Sequence, residues 1–205
     1  MSPGQQEAAV DGRTARRDRN RDAVLDAAHD LFVEGELLPG VEDVAARAGV
    51  SLRSVYRYFP DTRQLRLAAL ARRIAVAEPH FFLADLGQGP LDERIDRFVE
   101  HRLHLYDVSA PTIRAAFAMA STVPEIGEQV ARRKQQLTRQ ARAHFAPELD
   151  RMPSARAASA LVCVELLTQF ESMEVLRLGR SLPRDQTHVI LAAGVHALLT
   201  DAGAA

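Results

Sequence analysis

The run Val44-Ala45-Ala46-Arg47-Ala48-Gly49-Val50-Ser51-Leu52-Arg53-Ser54-Val55-Tyr56-Arg57-Tyr58-Phe59-Pro60 decides the fold. Val41, Val44, Ala45 and Ala48 recur at helical spacing and predict a short helix ending at Gly49, a residue that accepts the positive φ of a sharp turn. Ser51 then stands where a side-chain oxygen can cap the next helix, Leu52 to Tyr58. Val55 and Phe59 lie four residues apart and share one face. That leaves Arg53, Ser54 and Arg57 turned outward, and Pro60 stops the helix.

Upstream, Val24, Leu25, Ala28, Leu31 and Phe32 form one face of a helix beginning near Asn20 and ending at Gly35. Three short helices with a glycine turn before the last describe a helix-turn-helix, whose third helix enters the DNA major groove. A fourth helix is expected from about Thr62 to Ala77, with Leu65, Ala69 and Ile74 inward. Residues 1–18, with Pro3, Gly4, Gly12 and no periodicity, read as a disordered basic arm.

The 44–60 run closely resembles the DNA-binding signature of the TetR/AcrR family, and Ala27-Ala28, Leu31-Phe32 and Leu65 fall where that family places apolar residues. The likeness at motif level covers about Arg21 to Leu70. It implies a transcriptional regulator that binds double-stranded operator DNA as a homodimer. Gly40 and Thr62 depart from the pattern, which usually has a hydroxyl residue and a lysine there.

Each departure weakens a phosphate contact and shifts weight to Arg47, Arg63 and the N-terminal arginines. The expected DNA-binding residues are Arg47, Ser51, Leu52, Arg53, Ser54, Tyr56, Arg57, Tyr58 and Thr62. Arginine forks match guanine edges or phosphates, and serines are short donors that let the helix approach closely. Tyr56 and Tyr58 resemble the family's aromatic phosphate contacts; packing of either in the core is the alternative.

A formal net charge of -1 argues against coating nucleic acid by bulk positive charge, so the DNA surface must be local. Arg13, Arg16, Arg17, Arg19 and Arg21 precede the core of the first helix, Arg53 and Arg57 lie in the third, and Arg63, Arg66, Arg72 and Arg73 follow. Cys163 is the only cysteine, which excludes an intrachain disulfide and a cysteine zinc site. With no long uncharged apolar run and no signal-peptide core, the expectation is a cytoplasmic chain without membrane contact.

Beyond Pro79, helical segments alternate with Gly87, Gly89, Pro90, Pro111, Pro124, Pro147, Pro153, Gly179 and Pro183, and no useful strand alternation appears. The fold class is therefore all-α: a helix-turn-helix domain at 19–65, then a helical effector-binding and dimerisation domain at 66–201. Residues 157–178 and 188–199 are apolar almost all round, and Ala192, Ala193, Gly194 and Ala197 allow close helix approach. A homodimer through these last two helices follows.

On the helix expected from Leu91 to about Val108, Arg102 sits in the middle of the apolar face, and Glu165 is its acidic counterpart in the penultimate helix. Such groups either satisfy each other or greet a charged ligand. Phe82, Tyr106, Phe117, Gln169, Phe170 and Met173 complete a candidate ligand set with them, and suggest an apolar effector as yet unknown. His101 and His104 are expected in solvent, without a metal, and no cofactor is called for.

Two other readings stay open: a DNA-binding dimer controlled by a protein partner without an effector, and a helical enzyme. The enzyme reading has no phosphate loop, metal spacing or nucleophile motif behind it.

Overall fold

The computed structural model describes residues 3–36 and 39–200, with side chains from Ala15 onward. Among them there is no strand. Two compact units are present: Met1–Val76 with Pro111–Thr122, and Ala77–Ala110 with Val123–Ala205.

In the first unit, α1 (Pro3–Val33), α2 (Val41–Ala48), α3 (Leu52–Tyr58) and most of α4 (Thr62–Ala77) surround a core. Val24, Ala28, Val44, Val55, Leu65, Ala69 and Leu70 are almost completely buried. Full burial of a valine or leucine stabilises by about 1.5–3 kcal/mol, so this small set holds α2 and α3, which are too short to be stable alone. α4 continues past the division expected at 65/66, because its buried residues belong with this unit up to Val76.

Arg72 ties α4 to α1 through Asp22 at 2.7 Å and Asp26 at 3.1 Å. The backbone over the expected arm is helical from Pro3 onward. Its residues after Gly4 are mostly good helix formers, and no proline follows Pro3 there.

In the second unit, α5 (Leu91–Ala120, whose last turns from Pro111 fall in the first unit), α6 (Pro124–His144), α7 (Ala146–Leu149), α8 (Ser154–Thr168), α9 (Phe170–Glu174) and α10 (Arg184–Thr200) are joined by a 3-10 turn at Glu78–Phe81 and a π turn at Val175–Gly179. Phe98, Val99, Leu103, Phe145, Val164, Met173, Leu191 and Val195 make its core.

Two boundaries differ from the sequence reading. Pro111 lies inside α5, which runs to Ala120 instead of stopping near Val108. Proline removes one backbone N–H, and Ala110, Ala115 and Ala116 around it are helix-favouring and buried, so the helix continues. The penultimate helix, expected unbroken over 157–178, is interrupted at Gln169, which is extended at φ -74°, ψ 164°. Side chains satisfy the carbonyls there: the Thr168 hydroxyl donates to Val164 O at 2.7 Å, and the Ser172 hydroxyl to Leu166 O.

Arg94 braces this unit. Its guanidinium, 3 % exposed, pairs with Glu148 and donates to Gly89 O at 3.0 Å and His144 O at 2.9 Å. His144 Nε2 donates in return to Arg94 O at 2.9 Å, so α5, α6, α7 and the glycine loop share one polar knot.

Candidate nucleic-acid interface

Gly49 adopts φ 64°, ψ 32°, the left-handed region that L side chains reach only with strain. Its N–H bonds Ala46 O at 3.2 Å and that of Val50 bonds Ala45 O at 3.1 Å, closing α2 before the turn. Ser51 Oγ accepts from the Ser54 N–H at 3.2 Å and shares a 3.0 Å bond with the Ser54 hydroxyl, so α3 is capped as its sequence predicts. At the head of α2, Gly40 is extended at φ -68°, ψ 156°, a conformation open to any residue, and no side chain caps the helix.

Val55 and Phe59 are buried, whereas Ser51, Leu52, Arg53, Tyr56 and Arg57 are exposed. Tyr56, 47 % exposed, lies outside the core. Tyr58 is half-buried: Arg57 Nη2 donates to its hydroxyl at 2.9 Å and the guanidinium stands 5.0 Å from its ring. The two present a cation and a phenol as one preformed group.

Arg47 is engaged differently. Its fork donates to both Glu34 carboxylate oxygens at 2.7 and 2.6 Å, and that bond holds the Glu34 carboxyl below its usual range. At α4 the cap is Asp61, whose carboxylate accepts from the Gln64 N–H at 2.7 Å. Thr62 is the first residue of the helix.

In the second unit, Arg102 is 5 % exposed and is not bonded to Glu165. It donates to Gln140 Oε1 at 2.8 Å and Leu137 O at 3.2 Å, with its guanidinium 4.4 Å from the Phe98 ring centre. Burial pulls its pKa down to about 9, the Glu165 charge opposing, so it stays cationic at neutral pH. Glu165 accepts from the Thr138 hydroxyl at 3.0 Å.

Tyr106 donates to Glu174 at 2.6 Å and lies against Phe170, with ring centres 5.5 Å apart. Tyr106, Met173 and Phe170 pack in the core around Phe98, and Gln169 is the break between α8 and α9. Phe82 is 76 % exposed; it is Phe81 that turns inward, under Arg133 at 4.0 Å. Phe117 belongs to the first unit.

The profile of the family described as "Bacterial regulatory proteins, tetR family" matches residues 24–69, the segment that forms the later part of α1, α2, α3 and the first half of α4. Over this segment the chain is similar to the TetR family. Over 90 residues it is 39% identical to the HTH-type transcriptional repressor LfrR of Mycolicibacterium smegmatis, a match covering 43% of this chain and 47% of that one. The chain thus spans about half the length of this curated relative.

A tetR-family transcriptional regulator from Streptomyces coelicolor has 26% identity and a TM-score of 0.64, covering 88% of this chain and 80% of its own. A regulator from Saccharomonospora viridis, solved in complex with choline, has 19% identity and a TM-score of 0.64, covering 86% and 95%. At that identity the likeness is one of fold.

The TetR signature is local, which is why the sequence places α2 and α3 to the residue. Missed were the partners reached across the fold: Glu34 for Arg47, Glu174 for Tyr106, and the histidines of α5. His104 Nε2 lies 3.0 Å from His80 Nδ1, and His101, expected in solvent, is partly buried. Burial first, then the Arg102 charge, lowers the His101 pKa to about 4. The signal was the position of His80 just ahead of α5, in a turn that packs back on it.

Proposed function

We propose that this chain is a dimeric operator-binding transcriptional repressor of the TetR type, released by a small, largely apolar effector. The observation that carries the DNA-binding part is the division of α3: Val55 and Phe59 are held in the core while Leu52, Arg53, Tyr56 and Arg57 are exposed on a capped, seven-residue helix. A rigid helix with outward arginines fits the major groove, and it needs no rearrangement to present them.

In this reading Arg53 meets a base edge, Ser51, Leu52 and Ser54 set the approach distance, and Tyr56, Tyr58 and Thr62 fix register on phosphates. Arg57 extends to base or phosphate with its Tyr58 partner.

Pairing of two copies is supported by the surfaces of α8 and α10. Ala155, Ala158, Val162 and Leu166 form an exposed stripe along one, and Val189, Ile190, Ala193 and Ala197 along the other. The α8 set follows i, i+3, i+7 and i+11, and Ile190, Ala193 and Ala197 of α10 follow i, i+3 and i+7 with Val189 beside them, the spacing of a helix face that seeks a partner. Effector binding is assigned to the region of Arg102, Tyr106, Glu165, Gln169, Phe170 and Met173, where a buried cation is satisfied by neutral acceptors only.

The test is selection of bound duplexes from random DNA, followed by titration of the selected site. Arg53→Ala should lose about 1–3 kcal/mol on that site and relax preference at one base pair. Tyr56→Phe should lower affinity with preference kept. If Arg53→Ala retains both affinity and preference, the base contact is misassigned; if the wild-type chain enriches no sequence, operator binding is refuted.

A further inference from the structure

We infer that α1 carries a second DNA-contacting track, Arg17 and Arg21, which extends the α3 surface along the duplex backbone. The inference rests on the operator-binding reading and names residues outside the 44–62 segment.

The starting point is Arg21, whose guanidinium stands 5.5 Å from the centre of the Phe59 ring, at the C-terminal cap of α3. This contact places the exposed Arg21 beside the last turn of α3, which bears Arg57 and Tyr58. Arg17 precedes it by four residues on the same continuous helix, hence about 6 Å along the axis and only about 40° around it. Arg17 is also exposed. The two guanidinium groups therefore form a line leading away from α3, continuous with its cationic surface.

The other arginines of this stretch lie elsewhere. Arg19 is turned about 160° from Arg21, on the side where Asp22 and Asp26 hold Arg72. Arg16 is turned about 140° away in the other sense. The helix thus sorts its charges: carboxylates and Arg19 toward α4, Arg17 and Arg21 toward the end of α3.

The occupant is the sugar-phosphate backbone flanking the groove that α3 enters. Duplex DNA offers a row of anions to such a line, and an arginine fork takes phosphate oxygens in pairs. Contacts of this kind add affinity without sequence preference.

The experiment uses the full chain and two duplexes, one carrying the site selected by the wild-type protein and one of random sequence, titrated by fluorescence anisotropy from 50 to 300 mM KCl. Arg17→Gln, Arg21→Gln and Arg19→Gln are compared, with circular dichroism to establish that each folds. For Arg17→Gln the slope of log K against log salt should shrink by about 0.9 per bound protomer, with affinity falling by the same factor on both duplexes. Arg21→Gln should act alike, and Arg19→Gln should keep the wild-type slope.

An unchanged slope in Arg17→Gln overturns the inference. So does an equal loss in Arg19→Gln, which would reduce the effect to bulk charge. Either result, with Arg53→Ala still impairing recognition, leaves the operator reading standing; absence of any binding by the wild-type chain would remove both.

Discussion

Replacing Arg94 by methionine removes a guanidinium that is 3 % exposed while keeping much of its apolar stem. The loss strands three groups: the Glu148 carboxylate, itself 11% exposed, and the Gly89 and His144 carbonyls. Breaking a buried pair from one side costs about 3–5 kcal/mol because the remaining charge is left without compensation. Glu148 keeps some access to water, which puts Arg94→Met at the lower end, about 3 kcal/mol.

Glu148→Gln retains an acceptor for Arg94, whose cation also keeps both carbonyls, so about 1–2 kcal/mol is expected. The double variant Arg94→Met, Glu148→Leu should be more stable than the sum of the single losses by at least about 1 kcal/mol, since no ion remains to strand. Urea unfolding at pH 7.5 and fixed protein concentration, followed by far-ultraviolet circular dichroism, gives midpoints and slopes for the four proteins. If Arg94→Met costs under about 1 kcal/mol, or if the single losses simply add, the knot does not hold the second unit as argued.

Ser51→Ala should cost about 1 kcal/mol by removing the α3 cap, read by urea unfolding, and Ser51→Asp should retain most of it. Arg47→Gln should leave the salt slope of DNA binding unchanged, since Glu34 occupies the fork; a smaller slope would return Arg47 to the phosphate contacts. Leu166→Asp with Val189→Asp should convert a dimer to monomer in sedimentation equilibrium, and an unshifted dimer would place the interface elsewhere.

Acid should destabilise the chain through His101 and His144, both lowered from 6.5 mainly by burial. The unfolded chain takes these protons near pH 6.5 and the folded chain does not, so stability is complete above that value and falls as pH drops toward 4. The urea midpoint should decline over this range, and less steeply in His101→Gln; equal declines would exclude His101 as the source.

The helix-turn-helix was legible because its determinants are near neighbours: Gly49 closes α2, Ser51 caps α3, and Val55 with Phe59 selects the buried face within one turn. Composition likewise marked residues 157–178 and 188–199 as apolar almost all round, without showing where the first would break. Elsewhere the outcome turned on residues far apart in sequence. Arg102 and Glu165 are the obvious opposite charges in their helices, yet α6 offers Gln140, the Leu137 carbonyl and Thr138: Arg102 takes the first two and Glu165 the third.

Periodicity could not anticipate that choice, since it reports which face is buried and not which partner is met there. Proline and glutamine misled in opposite senses for one reason: a helix continues wherever its freed backbone groups and its buried face are both provided for. At Pro111 the flanking alanines stay buried and α5 runs on; at Gln169 two hydroxyls take over the terminal carbonyls and the helix breaks. The break then sets Phe170, Met173 and Glu174 against α5, where Tyr106 can reach Glu174. Its neighbour in α8, Glu165, bonds α6 instead, so one interrupted helix serves two different packing partners and the candidate effector region is built at the interruption.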